Sequence, residues 1–409
     1  MPFLLDRPSL LRTIQDDDID LVGGRSVASL REELADQALD TVKNGFVTLN
    51  LQTLKVQKKT AYRNLSKSHS VVLRRLNYVL RNVCQIYPSD RDTVVRRLIT
   101  VLQEGVPHRL YKFDIASFYE SIDTTLVAEA MSVDRRIPRQ SFLLIQDYLR
   151  HLRDREIAGL PRGLSISATL SEYALQAFDH FLAKNAHIYY YARYVDDIVI
   201  VTGGHEDFGT FQRSIESALG SLSFNPKKTQ LLELPVDRKA NGETVVGFVD
   251  YLGYRFSVHT TKKVKDRIQR NISVGIAASK ISRLKSRIAC SFCQYFIDHD
   301  SEMLKRRIQL LSGNYNIRDY STSQLRNVGL FCNYRRINTI NSLDEIDRFF
   351  RSIVAGERSR LSRRFRAVAP TSLRNSLMMF SFKSSFSAKV FYNFPHNERV
   401  RLSRCWQNV

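Results

Sequence analysis

Two adjacent aspartates, Asp196 and Asp197, constrain this chain more than any other feature, because they interrupt a run of apolar and aromatic residues. The flanking stretches Ile188–Tyr194 and Ile198–Val201 are rich in β-branched and aromatic side chains, which predicts two strands. The acidic pair would then lie at the tip of a β-hairpin. Unpaired carboxylates in apolar surroundings cost several kcal/mol, so the pattern indicates a bound cation. The alternative is an ordinary solvated turn.

A third carboxylate belongs to a second segment, Tyr111–Ile122, in which Asp114 ends an apolar-flanked stretch and predicts a strand that runs into a turn. Between the two acidic segments lies Gly159–Ser167, a loop with Gly and Pro that predicts the start of a helix continuing through Ala168–Leu182. The chain therefore contains a strand carboxylate, a Gly-Pro loop with its helix, and a double-aspartate hairpin, in that order.

This order is similar to that of the palm of template-directed polymerases, and the residues themselves resemble reverse transcriptases. Asp114 is similar to their first catalytic aspartate, residues 160–167 to their Leu-Pro-x-Gly segment, and Tyr194–Asp197 to their Tyr-x-Asp-Asp box. Phe224–Thr229 looks like their lysine-bearing segment, and Asp250–Phe256 looks like their primer-grip hairpin.

The resemblance covers about residues 55–256. Its details are more similar to bacterial retron-related and defence-associated reverse transcriptases than to retroviral ones. They are the sequence Phe-Tyr-Glu-Ser-Ile at Phe118–Ile122, the loop residues Arg162–Ser167, and the stretch Val71–Leu76, which resembles the fingers of that group. A member working with a non-coding RNA and a second reverse transcriptase is the expected subclass.

The resemblance implies an α+β right-hand fold, with fingers, a palm of antiparallel sheet plus helices, and a helical basic thumb. Nucleotidyl transfer in such enzymes uses two divalent ions about 3.5–4 Å apart, which clamp the attacking and leaving oxygens. Carboxylates are the hard oxygen ligands that Mg²⁺ prefers. The resemblance implies that two Mg²⁺ ions, with Mn²⁺ as an alternative, are held by Asp114, Ile115, Asp196 and Asp197, of which the three aspartates are catalytic.

The resemblance also assigns residues that bind the nucleotide and the primer. Tyr119 lies where reverse transcriptases place a ring under the incoming sugar, so it would favour deoxynucleotides; the alternative is a core tyrosine. Either Lys227 or Lys228 would donate a proton to the leaving pyrophosphate. The expected nucleotide-binding set is Arg96, Arg97, Phe118, Tyr119, Arg162, Gly163, Lys227 and Lys228, with Arg91 beside the two fingers arginines. The expected primer grip is Leu252, Gly253 and Tyr254.

Charge divides the chain unevenly, because residues 257–409 contain 29 Lys and Arg against 10 Asp and Glu, a balance of +19 out of a total of +21. Together with this charge division, the resemblance implies an N-terminal extension (1–54), fingers and palm (55–256), and a helical basic thumb and C-terminal nucleic-acid-binding region (257–409). Isoleucines near a 3.6-residue period predict a thumb helix over Arg267–Ile288. The expected nucleic-acid contacts are Lys280, Arg283, Arg287, Arg358, Arg360, Arg363, Arg364 and Arg366.

The expected partners are an RNA template, in particular a structured non-coding RNA, the DNA product and deoxynucleoside triphosphates, with a second reverse transcriptase or a second copy of the chain. Five scattered cysteines and the absence of a long apolar run predict a cytoplasmic protein with no membrane association, and the resemblance implies that it is bacterial. Two alternatives stay open. One is a template-independent or protein-primed polymerase of an abortive-infection system, and the other is a non-catalytic RNA-binding subunit with a polymerase fold.

Overall fold

A computed structural model describes residues 4–20, 25–47, 49–56, 59–87, 89–237, 239–318 and 325–407. The chain forms two compact units that each combine discontinuous segments. The first comprises residues 1–89 and 111–230, and the second comprises residues 90–110 and 231–409. Helices and antiparallel strands occur in both units, which confirms a mixed α+β fold.

The first unit is mainly helical, with strands at its centre. Its helices are α1 (Arg7–Thr13), α2 (Val27–Asn44), α3 (Lys67–Val83), α5 (Phe118–Ser121), α6 (Thr124–Val133), α7 (Arg139–Asp154), α8 (Ser165–Ala174), α9 (Gln176–Ala183) and α10 (Phe208–Ala218). Its strands are β1 (Leu51–Val56), β2 (Lys59–Asn64), β3 (His108–Asp114, which starts in the second unit), β4 (Ile188–Tyr194) and β5 (Asp197–Thr202). A short 3₁₀ helix spans Asp16–Asp18.

The second unit contains one helix from early in the chain and the whole C-terminal part. Its helices are α4 (Arg91–Gln103), α11 (Ala278–Asp298), α12 (Ser301–Ser312), α13 (Leu330–Tyr334), α14 (Asn341–Val354), α15 (Arg360–Val368), α16 (Thr371–Met378), α17 (Phe382–Ser387) and α18 (His396–Ser403). Its strands are β6 (Gln230–Leu234, which starts on the last residue of the first unit), β7 (Val245–Tyr251), β8 (Tyr254–Val264), β9 (Arg267–Ile276), β10 (Asn314–Arg318) and β11 (Leu325–Gly329). A 3₁₀ helix spans Arg404–Trp406.

The central sheet has the strand order β4-β5-β3-β6, so the double-aspartate hairpin lies directly beside the strand that ends at Asp114. In β5, Ile198, Val199, Ile200 and Val201 are completely buried, because helices of the first unit pack on this region. A strand buried on both faces lacks the alternation of polar and apolar residues that marks a half-exposed strand. The sheet therefore fixes both acidic segments on a rigid scaffold.

A three-stranded antiparallel sheet, β7-β8-β9, lies in the second unit. Helix α4 packs against β9, and the contact between them is polar as well as apolar. Arg270 of β9 is only 2% exposed and donates hydrogen bonds to the carbonyl oxygens of Glu104 and Val106 at 2.5 and 2.8 Å. The buried guanidinium thus fastens the end of α4 to the sheet.

The prediction of one helix over Arg267–Ile288 is wrong, because Arg267–Ile276 is strand β9 and helix α11 begins at Ala278. Ile268, Ile272 and Ile276 are four residues apart, a spacing that also places side chains on one face of a strand. Helix α2 lies inside the segment expected to be an N-terminal extension.

In the described parts of the chain, no helix has the length and apolar character needed to cross a membrane.

Candidate active site

The acidic hairpin turn consists of Val195 and Asp196, since Tyr194 of β4 pairs directly with Asp197 of β5. Val195 has a φ angle of +60°, a conformation that β-branched residues rarely adopt and that costs about 1–3 kcal/mol. The turn is held by the strand that leads into it, because the Arg193 guanidinium of β4 donates a hydrogen bond to the carbonyl oxygen of Val195 at 3.1 Å. The structure therefore stabilises a strained turn at the point where the two carboxylates project.

Arg193 itself is buried, with 8% of its surface exposed, and it is neutralised by two carboxylates. Its ion pairs with Glu172 of α8 and Asp179 of α9 have lengths of 2.7 and 2.6 Å. Hydrogen bonds between ionised groups in a buried site are strong and geometrically specific. The pairs connect the hairpin to the two helices that follow the Gly-Pro loop.

Asp114 lies next to this turn, as the sequence predicts. The backbone N–H of Ile115 donates to the carbonyl oxygen of Asp196 at 3.0 Å, and the N–H of Asn225 donates to the carbonyl oxygen of Asp114 at 2.7 Å. Ile115 also forms an isolated bridge with Phe224. The strand end, the hairpin turn and the lysine-bearing segment are therefore joined through their backbones.

The pKa values of the hairpin carboxylates are raised, as expected where acidic side chains are buried close together. Burial, together with repulsion from Asp196, raises the pKa of Asp197 to about 6. The pKa of Asp196 is also raised, mainly by burial and in part by the charge of Asp114. The positive charges of Lys228 and Lys59 oppose the rise at Asp196. Perturbed carboxylates that repel each other are typical of sites that bind cations or transfer protons.

The positively charged side chain of a lysine, Lys228, already contacts Asp114. The Nζ atom of Lys228 donates to both carboxylate oxygens of Asp114, at 2.8 and 2.9 Å. Hydrogen bonding to Asp114 in turn raises the pKa of Lys228. Lys227 is exposed, and its backbone N–H donates to the Asn225 side chain. Of the two lysines considered from the sequence, the structure brings Lys228 to the acidic site.

Among the residues that the structure describes, no three His, Cys, Asp or Glu side chains are grouped closely enough to hold a metal ion. The donor chemistry nevertheless suits a divalent cation, because carboxylates are the ligands that Mg²⁺ prefers and the pKa values of Asp196 and Asp197 are raised. Asp114, Asp196, Asp197 and Ile115 as metal-binding residues therefore stay a prediction.

Tyr119 is half-buried and has a basic neighbour on its ring. The guanidinium carbon of Arg162 lies 4.9 Å from the ring centroid, and Arg162 also forms two hydrogen bonds with Glu120, at 2.6 and 2.9 Å. The Glu120 hydrogen bonds raise the pKa of Arg162. Phe118, immediately before, is 1% exposed and packs in the core, and its contact with a nucleotide stays a prediction.

Gly163 satisfies a steric requirement of the Gly-Pro loop. Its φ is +96°, and a Cβ atom there would lie 2.7 Å from the carbonyl oxygen of Tyr62 in β2. The neighbouring Arg162 carbonyl accepts a hydrogen bond from the Tyr62 N–H at 2.7 Å. The loop therefore packs tightly on the β1–β2 hairpin, an approach that only glycine permits.

The structure places Arg96 and Arg97 on the exposed side of α4, in the second unit. Arg91 of the same helix is engaged elsewhere: its guanidinium donates to the carbonyl oxygens of Leu252 and Asn333, at 3.1 and 2.6 Å. It also lies over the rings of Tyr254 and Tyr334. Contacts of Arg96 and Arg97 with a triphosphate stay a prediction.

The expected primer grip is the turn between β7 and β8, in which Leu252 and Gly253 both have positive φ angles, 48° and 81°. Tyr254 is 2% exposed and donates its hydroxyl to the carbonyl oxygen of Asn333 at 3.0 Å. The hairpin exists as predicted, and Arg91 holds its turn. Its contact with a primer stays a prediction.

The basic residues expected to bind nucleic acid differ in their surroundings. Lys280 is exposed, Arg283 is half-buried, and Arg287 is half-buried and lies 5.8 Å from the ring centroid of Trp406. Burial lowers the pKa of Arg287. Five further arginines around α15 are all exposed: Arg358, Arg360, Arg363, Arg364 and Arg366.

Two of these five arginines have intramolecular partners. Arg364 lies over the ring of Phe296 at 4.4 Å, and Arg366 forms an ion pair with Glu357. Within the described residues, no side-chain partner is present for Arg358, Arg360 or Arg363.

Sequence reasoning missed Arg193, Glu120, Asn225 and Lys59. Arg193 precedes the hairpin box by a single residue, and a charged residue inside an otherwise apolar strand is the signal that could have identified it. Glu120 and Asn225 lie inside recognised motifs but act through contacts that only the tertiary structure shows. Lys59 has no motif around it.

Residues 55–256 match the family model described as reverse transcriptase (RNA-dependent DNA polymerase). The chain contains a reverse transcriptase domain. The match includes Asp114, the Gly-Pro loop and the Tyr194–Asp197 turn, and it confirms the resemblance to reverse transcriptases. The description of this family names an RNA-dependent DNA polymerase, which agrees with the predicted class of enzyme.

Among solved structures, the chain is similar to apo telomerase from Candida tropicalis truncated from its C-terminal domain. The two share 11% sequence identity with a TM-score of 0.36, over 59% of this chain and 60% of the other. The reverse transcriptase chain thus spans less than two thirds of that protein. No curated protein sequence matches this chain of 409 residues.

Proposed function

We propose that this protein copies a structured non-coding RNA into DNA, using two divalent metal ions at Asp114, Asp196 and Asp197, as part of bacterial antiviral defence. The observation that carries the chemical part is the backbone hydrogen bond from Ile115 to Asp196, because it joins the strand carboxylate to the double-aspartate turn. The reverse transcriptase domain supports the reaction class.

The donor set supports the choice of metal. Asp114, Asp196 and Asp197 would hold Mg²⁺, with Mn²⁺ as an alternative, and Ile115 would lie beside them. When bound, the ions would polarise the primer 3′-hydroxyl and neutralise the charge that develops on the pyrophosphate. The chain supplies the ligands in a rigid arrangement, because Arg193 and the Ile115 hydrogen bond hold the turn from two directions.

Other residues would orient the nucleotide. Tyr119 would lie under the incoming sugar and exclude a 2′-hydroxyl, while the Arg162–Glu120 ion pair restrains the ring from one side. Lys228 would donate a proton to the leaving pyrophosphate, since it is the lysine that reaches Asp114 and its raised pKa keeps it charged. Proton transfer by a positioned side chain typically raises the rate of a reaction about 10²–10⁴-fold.

The template and the biological role rest on sequence detail and charge. The motif residues Phe118–Ile122 and Arg162–Ser167 resemble bacterial defence-associated reverse transcriptases, and members of that group work with non-coding RNAs. The +19 balance of residues 257–409 supports binding to a phosphate backbone, which is largely independent of nucleotide sequence. A second reverse transcriptase or a second copy of the chain, and a cytoplasmic location, belong to the same proposal.

Sequencing the nucleic acid that copurifies with the expressed protein tests the template. We expect one discrete RNA, encoded near the protein, together with DNA complementary to it. The Asp197→Asn protein should retain the RNA and lack the DNA. Random cellular RNA with no complementary DNA would contradict the proposed template. Phage plating on cells with the wild-type and Asp197→Asn proteins tests the defence role, with protection expected only from the wild type.

A further inference from the structure

The ion pair between Lys228 and Asp114 joins two side chains of very different exposure. The carboxyl group of Asp114 is 7% exposed, whereas the Lys228 side chain is 56% exposed. The lysine therefore reaches a buried acid from the solvent side. An exposed ammonium on a flexible stem can leave such a position at low cost, while the carboxylate cannot follow it.

The local backbone explains why Lys228 occupies this place and Lys227 does not. Asn225 is anchored to Asp114 by its N–H, and its own carbonyl oxygen accepts hydrogen bonds from the N–H groups of Lys228 and Thr229, at 3.0 and 3.1 Å. This turn brings position 228 to the acidic site and leaves Lys227 in solvent. The contact between Lys228 and Asp114 thus results from a hydrogen-bonded turn rather than from chance proximity of a long side chain.

The charges around Asp114 require a cation. Asp196 and Asp197 lie at the turn whose backbone accepts a hydrogen bond from Ile115, the residue after Asp114, and the positive charge of Lys228 acts on both of their carboxylates. One ammonium therefore partly neutralises three carboxylates. Both oxygens of Asp114 are bound by the same nitrogen, so a metal ion and the ammonium compete for the same ligand atoms.

We propose that Lys228 holds the place of a divalent cation on Asp114, and that entry of the metal displaces its ammonium from the carboxylate. This inference rests on the proposed function in taking a divalent cation as the ligand of the acidic site. Displacement releases the ammonium at the edge of the site, where it becomes available to the phosphates of an incoming nucleotide. Lys228 thereby keeps the acidic site stable without metal and links metal entry to phosphate binding.

Titration of the full-length protein with Mn²⁺ tests this inference, with electron paramagnetic resonance used to measure free Mn²⁺ in the absence of nucleic acid and nucleotide. Removing the competing charge in Lys228→Met should tighten Mn²⁺ binding about tenfold, because a unit charge at contact distance is removed. Lys227→Met is the matched control and should change the affinity less than about twofold, since its charge is screened by water. Circular dichroism establishes that both variants are folded.

Equal or weaker Mn²⁺ affinity in Lys228→Met, no detectable Mn²⁺ bound by it, or equal effects of the two substitutions would overturn the inference. Its failure is distinguishable from failure of the proposed function, because the titration needs no DNA synthesis. If the protein makes DNA but its Mn²⁺ affinity does not depend on Lys228, the displacement is refuted and the proposed reaction is not. Tighter Mn²⁺ binding by Lys228→Met, together with a wild-type protein that makes no DNA, would support the displacement and refute the proposed reaction.

Discussion

The guanidinium of Arg162 lies over the ring of Tyr119, with 4.9 Å between the guanidinium carbon and the ring centroid. Arg162 is held there by its two hydrogen bonds with Glu120, so one face of the ring is covered by a fixed cation. Cation–π contacts of this kind contribute about 0.5–1 kcal/mol at exposed sites. The ring therefore has a restricted orientation, which a residue that selects a sugar by shape requires.

Replacing Tyr119 with Val should open space beside the 2′ carbon of the incoming nucleotide. We expect the preference for deoxynucleotides over ribonucleotides to fall at least about tenfold, the size of effect that a change in pocket shape produces. Competitive incorporation of the two nucleotide types measures this ratio. Tyr119→Phe keeps the ring and should keep the preference, and an unchanged ratio in Tyr119→Val would make Tyr119 a core residue only.

Replacing Arg91 with Met should loosen the turn at Leu252, because the variant lacks the hydrogen bonds to its carbonyl oxygen and the stacking on Tyr254. We expect the KM for primer–template to rise about tenfold, since hydrogen bonds from charged groups contribute about 1.5–3 kcal/mol. The KM for nucleotide should change little. Arg351→Met, on an exposed position of α14, is the control. A rise in the nucleotide KM instead would mean that Arg91 contacts the triphosphate.

The raised pKa of Asp197 predicts how stability depends on pH in metal-free buffer. The folded protein holds this proton more tightly than the unfolded chain, because the pKa is about 6 against 3.8. The free energy of unfolding contributed by Asp197 is therefore greatest below pH 3.8 and is lost as the pH rises through 6. Asp197→Asn should be more stable at neutral pH by about 1–2 kcal/mol.

Denaturant unfolding of the wild type and Asp197→Asn in chelator, at pH values on either side of 6, measures this effect. The two proteins should converge at the acidic end of the range. A variant that is less stable than the wild type at neutral pH would contradict the destabilising role of the ionised carboxylate.

Changing Arg358, Arg360, Arg363, Arg364 and Arg366 to Gln should weaken RNA binding and flatten its salt dependence. Each phosphate that is no longer neutralised by an arginine lowers the slope of log affinity against log salt by about 0.7–0.9. Three of these residues have no side-chain partner among the described residues, so we expect the slope to fall by at least about 2. Arg348→Gln with Arg351→Gln on α14 is the control pair. An unaltered slope would show that the cluster does not touch nucleic acid.

The hairpin and its neighbours were predictable because their signals are local. Strand Ile188–Tyr194 has the predicted bounds, and β5 extends its prediction by one residue at each end. The dense β-branched and aromatic residues and the acidic turn leave few alternatives. The motifs shared with reverse transcriptases are also local signals. They are short and follow one another along the chain, so they identified the reverse transcriptase domain.

Long-range features were not predictable from periodicity or motifs. The sequence predicts a helix where strand β9 lies because a spacing of four residues fits both structures, and only the pairing of β9 with β8 decides between them. The association of α4 with β9 depends on Arg270, which contacts residues more than 160 positions away. The choice between Lys227 and Lys228 likewise depends on how the Asn225 turn is anchored.

Primer extension on an RNA template tests the central claim, that Asp114, Asp196 and Asp197 form the catalytic site of an RNA-directed DNA polymerase. The purified wild type, supplied with Mg²⁺ and deoxynucleoside triphosphates, should extend a DNA primer by copying the RNA. Asp196→Asn should be folded, bind the same RNA with unchanged affinity, and lose DNA synthesis by several orders of magnitude, because a metal ligand is gone. Synthesis by Asp196→Asn at a rate close to that of the wild type would contradict the account.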